Sequence, residues 1–317
     1  MKKNQVVIIS LIVGGIFILL TPIVAHPLDK KSRNYLQELR SIVDEELSNE
    51  GKRAKVSEYV RKLSEEGLLS LWEQAASKGD IELRTFAIAG EIKQRWNNNP
   101  PFIKIAKIVK DVSRDPVFRV DLLNYLKYPE IRKIIIKSKI EDFLSDELKS
   151  IVESKDDNLV REAAVSALGS ISLHAAESKM INGGKISEVK DYLLGLLENT
   201  KEDEGVRGRA LLILERFRDT RVVAALVEIA ENQSIYSSKI IGIAAHVLGA
   251  YRDEEKAVEI LDMLVSNEDP RIRRIAVRSL YGIGTTGAEK VVEDLRKKEK
   301  DKSVLRLIDQ LSKDEKH

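Results

Sequence analysis

The sequence predicts an all-α chain built from stacked helix pairs, and three observations carry that reading. The composition favours soluble helices over sheets: Leu, Ile, Ala, Glu and Lys are abundant, and 317 residues hold 33% charged residues, 5% aromatics and seven prolines. A phrase of Asp, two residues, an apolar residue, Arg, two residues and usually Ala recurs along the chain. Its spacing, in the thirties and forties, is that of repeats with two helices each. The length suffices for one large or two ordinary domains, and the 43% apolar fraction for a substantial core.

Residues 1–25 stand apart from that body. Met1-Lys-Lys-Asn is a short basic start, Val6 to Leu20 runs without a charge, and Pro22 and Ala25 close the stretch. This is the layout of a secretory signal peptide cleaved after Ala25. Residues 6–25 are also long enough to stay as a transmembrane anchor. Both readings place residues 26–317 outside the cytoplasm, in a bacterial cell envelope or secreted, because the lysines hold the N-terminus inside. Net charge is +2, and without Lys2 and Lys3 the 53 basic residues fall to match the 51 acidic ones. A neutral body offers no general pull on nucleic acid. The chain has no cysteine, which excludes disulfides, thiolate metal sites and a cysteine nucleophile.

Residues 26–66 read as a tether followed by capping helices. Tyr35, Leu36, Leu39, Ile42, Val43 and Leu47 fall at helical spacing, with a stop expected at Asn49-Glu-Gly51. Val56 to Leu63 forms a second helix with a stop at Gly67, and Leu68 to Ala75 a third with a stop at Gly79. A stack of repeats needs its first apolar face covered by such atypical helices.

From residue 67 to 317 the phrase sets the pattern. It begins at Asp80, Asp115, Asp157, Asp203 and Asp269, with degenerate copies at Ser237 and Asp301, in steps of 35, 42, 46, 34, 32 and 32 residues. Asp ahead of an apolar-periodic run is a helix N-cap. In Asp115-Pro116 and Asp269-Pro270 a proline follows at the preferred first helical position. Positions +3, +7, +8 and +11, as in Val160, Ala164, Val165 and Leu168, make one apolar stripe. A second apolar helix follows each of the later copies: Val189 to Leu197, Val222 to Ile229, Ala257 to Val265 and Val291 to Leu295. Arg at +4, namely Arg84, Arg119, Arg161, Arg207 and Arg273, stands in the first turn, where the helix dipole disfavours a cation. Pairing with the capping Asp of its own or an adjacent repeat is the expected compensation, giving a structural ladder.

The phrase at Asp157 to Gly169 resembles HEAT repeats, above all the short HEAT-like type named after phycobilisome lyases, over roughly residues 67–312. The resemblance implies an armadillo-type α-solenoid, a right-handed superhelix of helix pairs with a concave surface for partners. It implies no single activity. Two departures stand out. The Ser237 copy has lost both Asp and Arg, with Ile241 in the Arg position, and the long step into Asp203 places an insertion at Ser172 to Lys185.

Candidate sites are few. Residues 101–140 hold ten Lys or Arg against four acids. Lys104, Lys107, Lys110, Lys133, Lys137 and Lys139 would form an anion-binding face for an envelope polymer or lipid surface if neighbouring repeats aligned them. Solvated, balanced helix faces are the competing reading. His26, His174, His246 and His317 have no metal-ligand spacing, and no carboxylate has an apolar pocket to make it a general acid. Trp96 precedes the turn Asn97 to Pro101 and is expected to be exposed there. The sequence therefore points to a non-catalytic scaffold without cofactor, exported or membrane-tethered, that binds a protein partner. An anionic polymer or lipid surface is the alternative ligand, and an enzyme on a HEAT-like fold is the remote one. Function is expected where the phrase fails.

Overall fold

A computed structural model of the chain describes residues 34–43, 49–96, 100–178, 183–252 and 255–314. Among these residues every regular element is a helix, seventeen of them α-helices and one a π-helical segment. The N-terminal end is α1 (Tyr35–Val43), α2 (Asn49–Lys62) and α3 (Glu65–Ser77), then the π-helical segment (Leu83–Ile88) with α4 (Ala89–Arg95) and α5 (Phe102–Lys110). The middle is α6 (Pro116–Tyr125), α7 (Pro129–Lys137), α8 (Glu141–Val152), α9 (Asn158–Glu177) and α10 (Gly183–Glu198). The remainder alternates regularly through α11 (Glu204–Arg216), α12 (Val222–Glu231), α13 (Ser238–Leu248), α14 (Glu255–Leu264), α15 (Pro270–Ile283), α16 (Thr286–Lys298) and α17 (Lys302–Asp314).

These helices pack in sequence as an α-solenoid of two rows. The phrase helices α6, α9, α11, α13, α15 and α17 stack one on the next, with α3 at the head of the row. The second row runs through α10, α12, α14 and α16, and its members touch each other less than the phrase helices do. The apolar stripe of the phrase lies between the rows: Val160, Ala164, Val165, Leu168, Val206, Ala210, Leu211 and Leu214 are all fully buried. Small residues let the phrase row close up. A Cβ at Gly169 of α9 would lie 2.3 Å from Ile213 Cγ2 of α11, and one at Gly208 would lie 2.6 Å from Ile243 Cδ1 of α13.

The irregular steps have structural causes. In the 42-residue step, α7 is an extra helix that packs on α9. In the next step the added length is mostly helix. Across the insertion expected at Ser172 to Lys185, α9 runs through Glu177 and α10 starts at Gly183, with residues 179–182 outside the described residues. The first phrase copy is also unusual, because Asp80 leads into a π-helical segment instead of a plain α-helix.

Three further expectations are corrected. Gly51 and Gly67 do not stop helices but lie inside α2 and α3. The boundary signal there is Ser64, whose hydroxyl accepts from the Gly67 N–H as the cap of α3. Gly79, by contrast, follows the end of α3 with φ 69°, a left-handed position that suits glycine. Trp96 is buried at 3% exposure, its ring edge-on to Tyr125 with centroids 5.3 Å apart. The expected transmembrane helix is not found: among the described residues no helix is long and apolar enough to cross a membrane. Residues 6–25, on which that expectation fell, lie outside the described residues.

Packing at Gly169 sets up a test with a built-in control. Gly169→Ala gains helix propensity but overpacks against Ile213, so a net loss of about 1–3 kcal/mol is expected. Gly195 in α10 has open space where its Cβ would be, so Gly195→Ala should stabilise by about 0.5–1 kcal/mol. Chemical denaturation of both variants reads the two signs; a stabilised Gly169→Ala would mean that the row is not closely packed there.

Candidate functional site

Each phrase Asp sits at the start of its helix. Asp115 accepts from the N–H groups of Val117 (2.9 Å) and Phe118 (3.0 Å), and Asp203 from Gly205 (2.8 Å) and Val206 (3.2 Å). Asp157 accepts from Leu159 and Asp269 from Arg271, both at 2.8 Å. Asp80 accepts from the Leu83 N–H at 3.0 Å. These bonds occupy donors that the first turn of a helix leaves without partners.

The arginines pair differently from the sequence expectation. For Arg119 and Arg161 the acid is the residue just before the next cap, and for Arg273 it is Glu299, two residues before Asp301; it is not the cap itself. Arg119 is bidentate to Asp156, with Nη1 2.9 Å from Oδ1, and Arg161 Nη2 lies 2.7 Å from Glu202 Oε2. Arg273 holds Glu299 through two bonds of 2.7 and 2.8 Å. The physical reason is that the cap carboxylate is already committed to backbone N–H groups. The acid before it accepts the cap's own N–H as well: Asp157 N–H to Asp156 at 2.7 Å, and Asp203 N–H to Glu202 at 2.6 Å.

A second contact removes the conflict with the helix dipole. Arg119, Arg161 and Arg207 each donate from Nε to a carbonyl at the end of the helix before their own: Val109 of α5 (2.7 Å), Val152 of α8 (2.7 Å) and Leu197 of α10 (2.9 Å). Arg273 donates to the Asn267 and Glu268 carbonyls beyond α14, at 2.9 Å each. The cation therefore serves the negative end of a neighbouring helix while standing at the positive end of its own.

Two joints depart from this plan. Arg207 faces Tyr236 instead of an acid, its guanidinium 5.2 Å from the ring centroid, while the Tyr236 hydroxyl donates to Glu228. Ser237 does not cap α13 with its side chain; its N–H and hydroxyl both donate to Glu204. Ile241, in the Arg position of that copy, is buried at 2% exposure. At the N-terminal end Arg84 reaches across to Asp121 of α6 with two bonds of 2.7 Å, and the Trp72 Nε1–H donates to the same carboxylate at 2.8 Å.

A further knot, absent from the sequence reading, lies at the turn between α11 and α12. Asp219 is buried at 4% exposure and accepts from the Arg221 side chain and N–H, with Lys190 of α10 at 3.1 Å. The Arg221 hydrogen bonds, then Lys190, hold its carboxyl well below the usual carboxylate range. Its carbonyl accepts from the Tyr251 hydroxyl at 3.0 Å, so one residue ties α10 to two successive turns. The only local hint in the sequence was Asp219 two residues before Arg221.

The places nominated for function fare unevenly. Lys104 is ion-paired to Glu65 and Glu66, and Lys110 to Glu147 at 2.7 Å. Lys107, Lys133, Lys137 and Lys139 are exposed, but α5 packs on α6 and α8 while α7 packs on α9. The structure does not gather the six lysines onto one pair of adjoining helices. His174 is half-buried near Glu177 at 4.0 Å, and burial together with Arg132 lowers its pKa. A groove of ≈ 620 Å³ lies between α1, α2 and the π-helical segment, lined in part by Arg40, Lys52, Arg53, Asp80 and Glu82. Among the described residues no three His, Asp or Glu side chains come together as a metal site.

No family model and no curated relative matches the chain. Two solved structures are similar to it in part. Human deoxyhypusine hydroxylase in complex with glycerol aligns at TM-score 0.34 and 17% identity, over 88% of this chain and 96% of that one. An engineered protein aligns at TM-score 0.42 and 20% identity, over 66% of this chain and 93% of its own. Likeness at this level carries nothing about activity, and the fold stands on the helix packing described above.

The joints make two measurable claims. Arg119→Met leaves the Asp156 carboxylate buried without its cation and should cost about 3–5 kcal/mol, whereas Arg207→Met orphans no acid and should cost about 1–2 kcal/mol. Urea titrations that returned equal losses would remove the distinction between the joints. For pH, a carboxyl whose folded pKa is depressed contributes stability that is complete above its unfolded value and lost as pH falls toward the folded one. Asp219 and Asp156 are depressed, Asp269 is lowered to about 2 by Arg271, and Glu299 is depressed by Arg273. Melting temperature should therefore hold from neutral pH down to about pH 5 and fall below about pH 4. Asp219→Asn should flatten that fall; an unchanged slope would deny Asp219 its share.

Proposed function

We propose that the chain is a non-catalytic scaffold that binds a protein partner along the outward side of its phrase helices. The observation that carries this reading is the continuous stack of α6, α9, α11, α13 and α15, which offers one extended surface and not an isolated pocket. Closer packing along this row than along the second row is the arrangement that curves a stack toward the phrase helices. Every carboxylate whose titration is shifted among the described residues is shifted downward, which supports it too. Asp156, Asp219, Asp269 and Glu299 are pushed down by arginines that belong to the frame, whereas a general acid needs its pKa raised. Placement outside the cytoplasm rests on the pattern of residues 1–25. The alternative ligand, an anionic polymer on the Lys104 to Lys139 region, is weakened by the ion pairs that Lys104 and Lys110 already make.

The test is crosslinking in intact cells through a C-terminal tag, followed by reconstitution of the recovered protein with the purified chain. A saturable one-to-one complex that forms without any chemical change in either protein is the expected result. Turnover of the recovered protein, or recovery of polymer with no protein, would overturn the reading.

A further inference from the structure

The near-equality of acids and bases in the whole chain conceals a contrast between α13 and α15 of the phrase row and α12 and α14 of the second. In the C-terminal half, α13 and α15 contain no acidic residue at all, while α12 contains no basic one. The phrase row carries Arg209, Arg216, Lys239, Arg271, Arg274 and Arg278 in addition to the joint arginines. Arg216, Lys239 and Arg278 are exposed, and none of the three takes part in a joint.

Contacts place Lys239 and Arg209 on one surface. Helical register puts Arg216 and Arg278 on the same face of their own helices, thirteen and nine residues after the start of the phrase against two for Lys239 and six for Arg209. Glu162 of α9 reaches over the notch at Gly205 of α11 to Lys239 of α13 at 3.0 Å, and Arg209 lies 3.7 Å from the same carboxylate. A Cβ at Gly205 would collide with both Glu162 and Lys239, so the bridge crosses α11 only because glycine is there. Burial, and after it the charge of Arg209, lowers the pKa of Lys127, which follows α6. The Nε atoms of Arg209 and Arg274 are buried without a hydrogen-bond partner, a costly state for a cationic donor. Between the cations stand half-buried apolar side chains, Leu212, Ile243 and Ile275, one on each of α11, α13 and α15.

We infer that the phrase-row surface of α11, α13 and α15 is the docking site for an acidic protein segment that carries apolar residues. Resting on the scaffold reading above, this assigns the partner its chemistry. Carboxylates complement Arg216, Lys239 and Arg278. Apolar residues of the segment cover Leu212, Ile243 and Ile275, a contact that a phosphate polymer cannot make. Glu162 holds Lys239 and Arg209 in place until the partner's acids arrive.

The test selects random peptides from a display library on the full chain, then measures the selected peptides against two charge-reversed variants. The first variant is Arg216→Glu, Lys239→Glu, Arg278→Glu on the phrase row; the second is Lys290→Glu, Lys297→Glu, Lys298→Glu on α16. Selected sequences should be enriched in Asp and Glu together with Leu, Ile or Phe. Their affinity should fall more than about tenfold on the first variant, weaken with added salt and stay unchanged on the second. Circular dichroism of both variants checks that they fold. Peptides without acidic enrichment, or equal binding to both variants, would overturn this surface while leaving a protein scaffold intact. No selected peptide, with inorganic polyphosphate retained by the wild type and released by the first variant, would overturn the scaffold reading as well.

Discussion

The structure depends on one guanidinium at each joint between repeats. Placed in the first turn of its helix, an arginine meets the wrong end of the dipole, at a cost of about 0.3–1 kcal/mol. In Arg119 and Arg161, however, the Nε–H reaches the last carbonyls of the preceding helix, and the other nitrogens reach the acid ahead of the next cap. Arg119 does both while only 1% exposed, joining Val109 and Asp156 across the boundary between α5, α6 and α8. A lysine could not replace it, since a single ammonium lacks the fixed fork that addresses a carbonyl and a carboxylate at once.

This arrangement divides the labour among neighbouring carboxylates. The cap Asp is consumed by backbone N–H groups, so the ion pair falls to the residue before it, which also accepts the cap's N–H. Three residues thereby fix the end of one helix, the start of the next and the distance between successive phrase helices. That distance must be short, because Ile213 packs directly over Gly169 and Ile243 over Gly208. Where the ion pair is missing, apolar or aromatic groups take its place: Tyr236 under Arg207, and Ile241 in the core of the Ser237 repeat.

Much of this frame is legible in the sequence, because a cap and an apolar stripe are local and periodic. Asp115-Pro116 and Asp269-Pro270 announce helix starts, and Val160, Ala164 and Leu168 announce the buried face. What escapes a local reading is pairing across a whole repeat. Arg161 and Glu202 are 41 positions apart, and nothing near either residue names the other. Tyr236 is legible only in retrospect, as the residue that occupies the acid's position ahead of Ser237. The insertion at Ser172 to Lys185 does not announce itself as helix, since Ser172, His174 and Gly183-Gly184 interrupt the apolar pattern, yet Leu173 and Ala175 are buried within α9. Trp96 misled, since the turn that follows it says nothing of the Tyr125 ring against which it packs.

A repeated residue and a solitary one call for different explanations. The arginines at +4 recur because they join successive repeats, and the charges of Arg119, Arg161 and Arg273 are cancelled by an acid one repeat later. Arg216, Arg278 and His246 have no such counterpart, and they are exposed on helices of the same row. A helix such as α15, with four arginines and no acid, uses one of them, Arg273, for its joint and another, Arg271, against its own cap. The remaining two, Arg274 and Arg278, add nothing that the repeat requires. Charge repulsion within one row is a cost to the folded state, and the acids that could have relieved it stand on α12 and α14 of the opposite row. The neutral total therefore conceals a local contrast, basic α13 and α15 of the phrase row against acidic α12 and α14, and the basic side coincides with the row whose close packing shapes the stack.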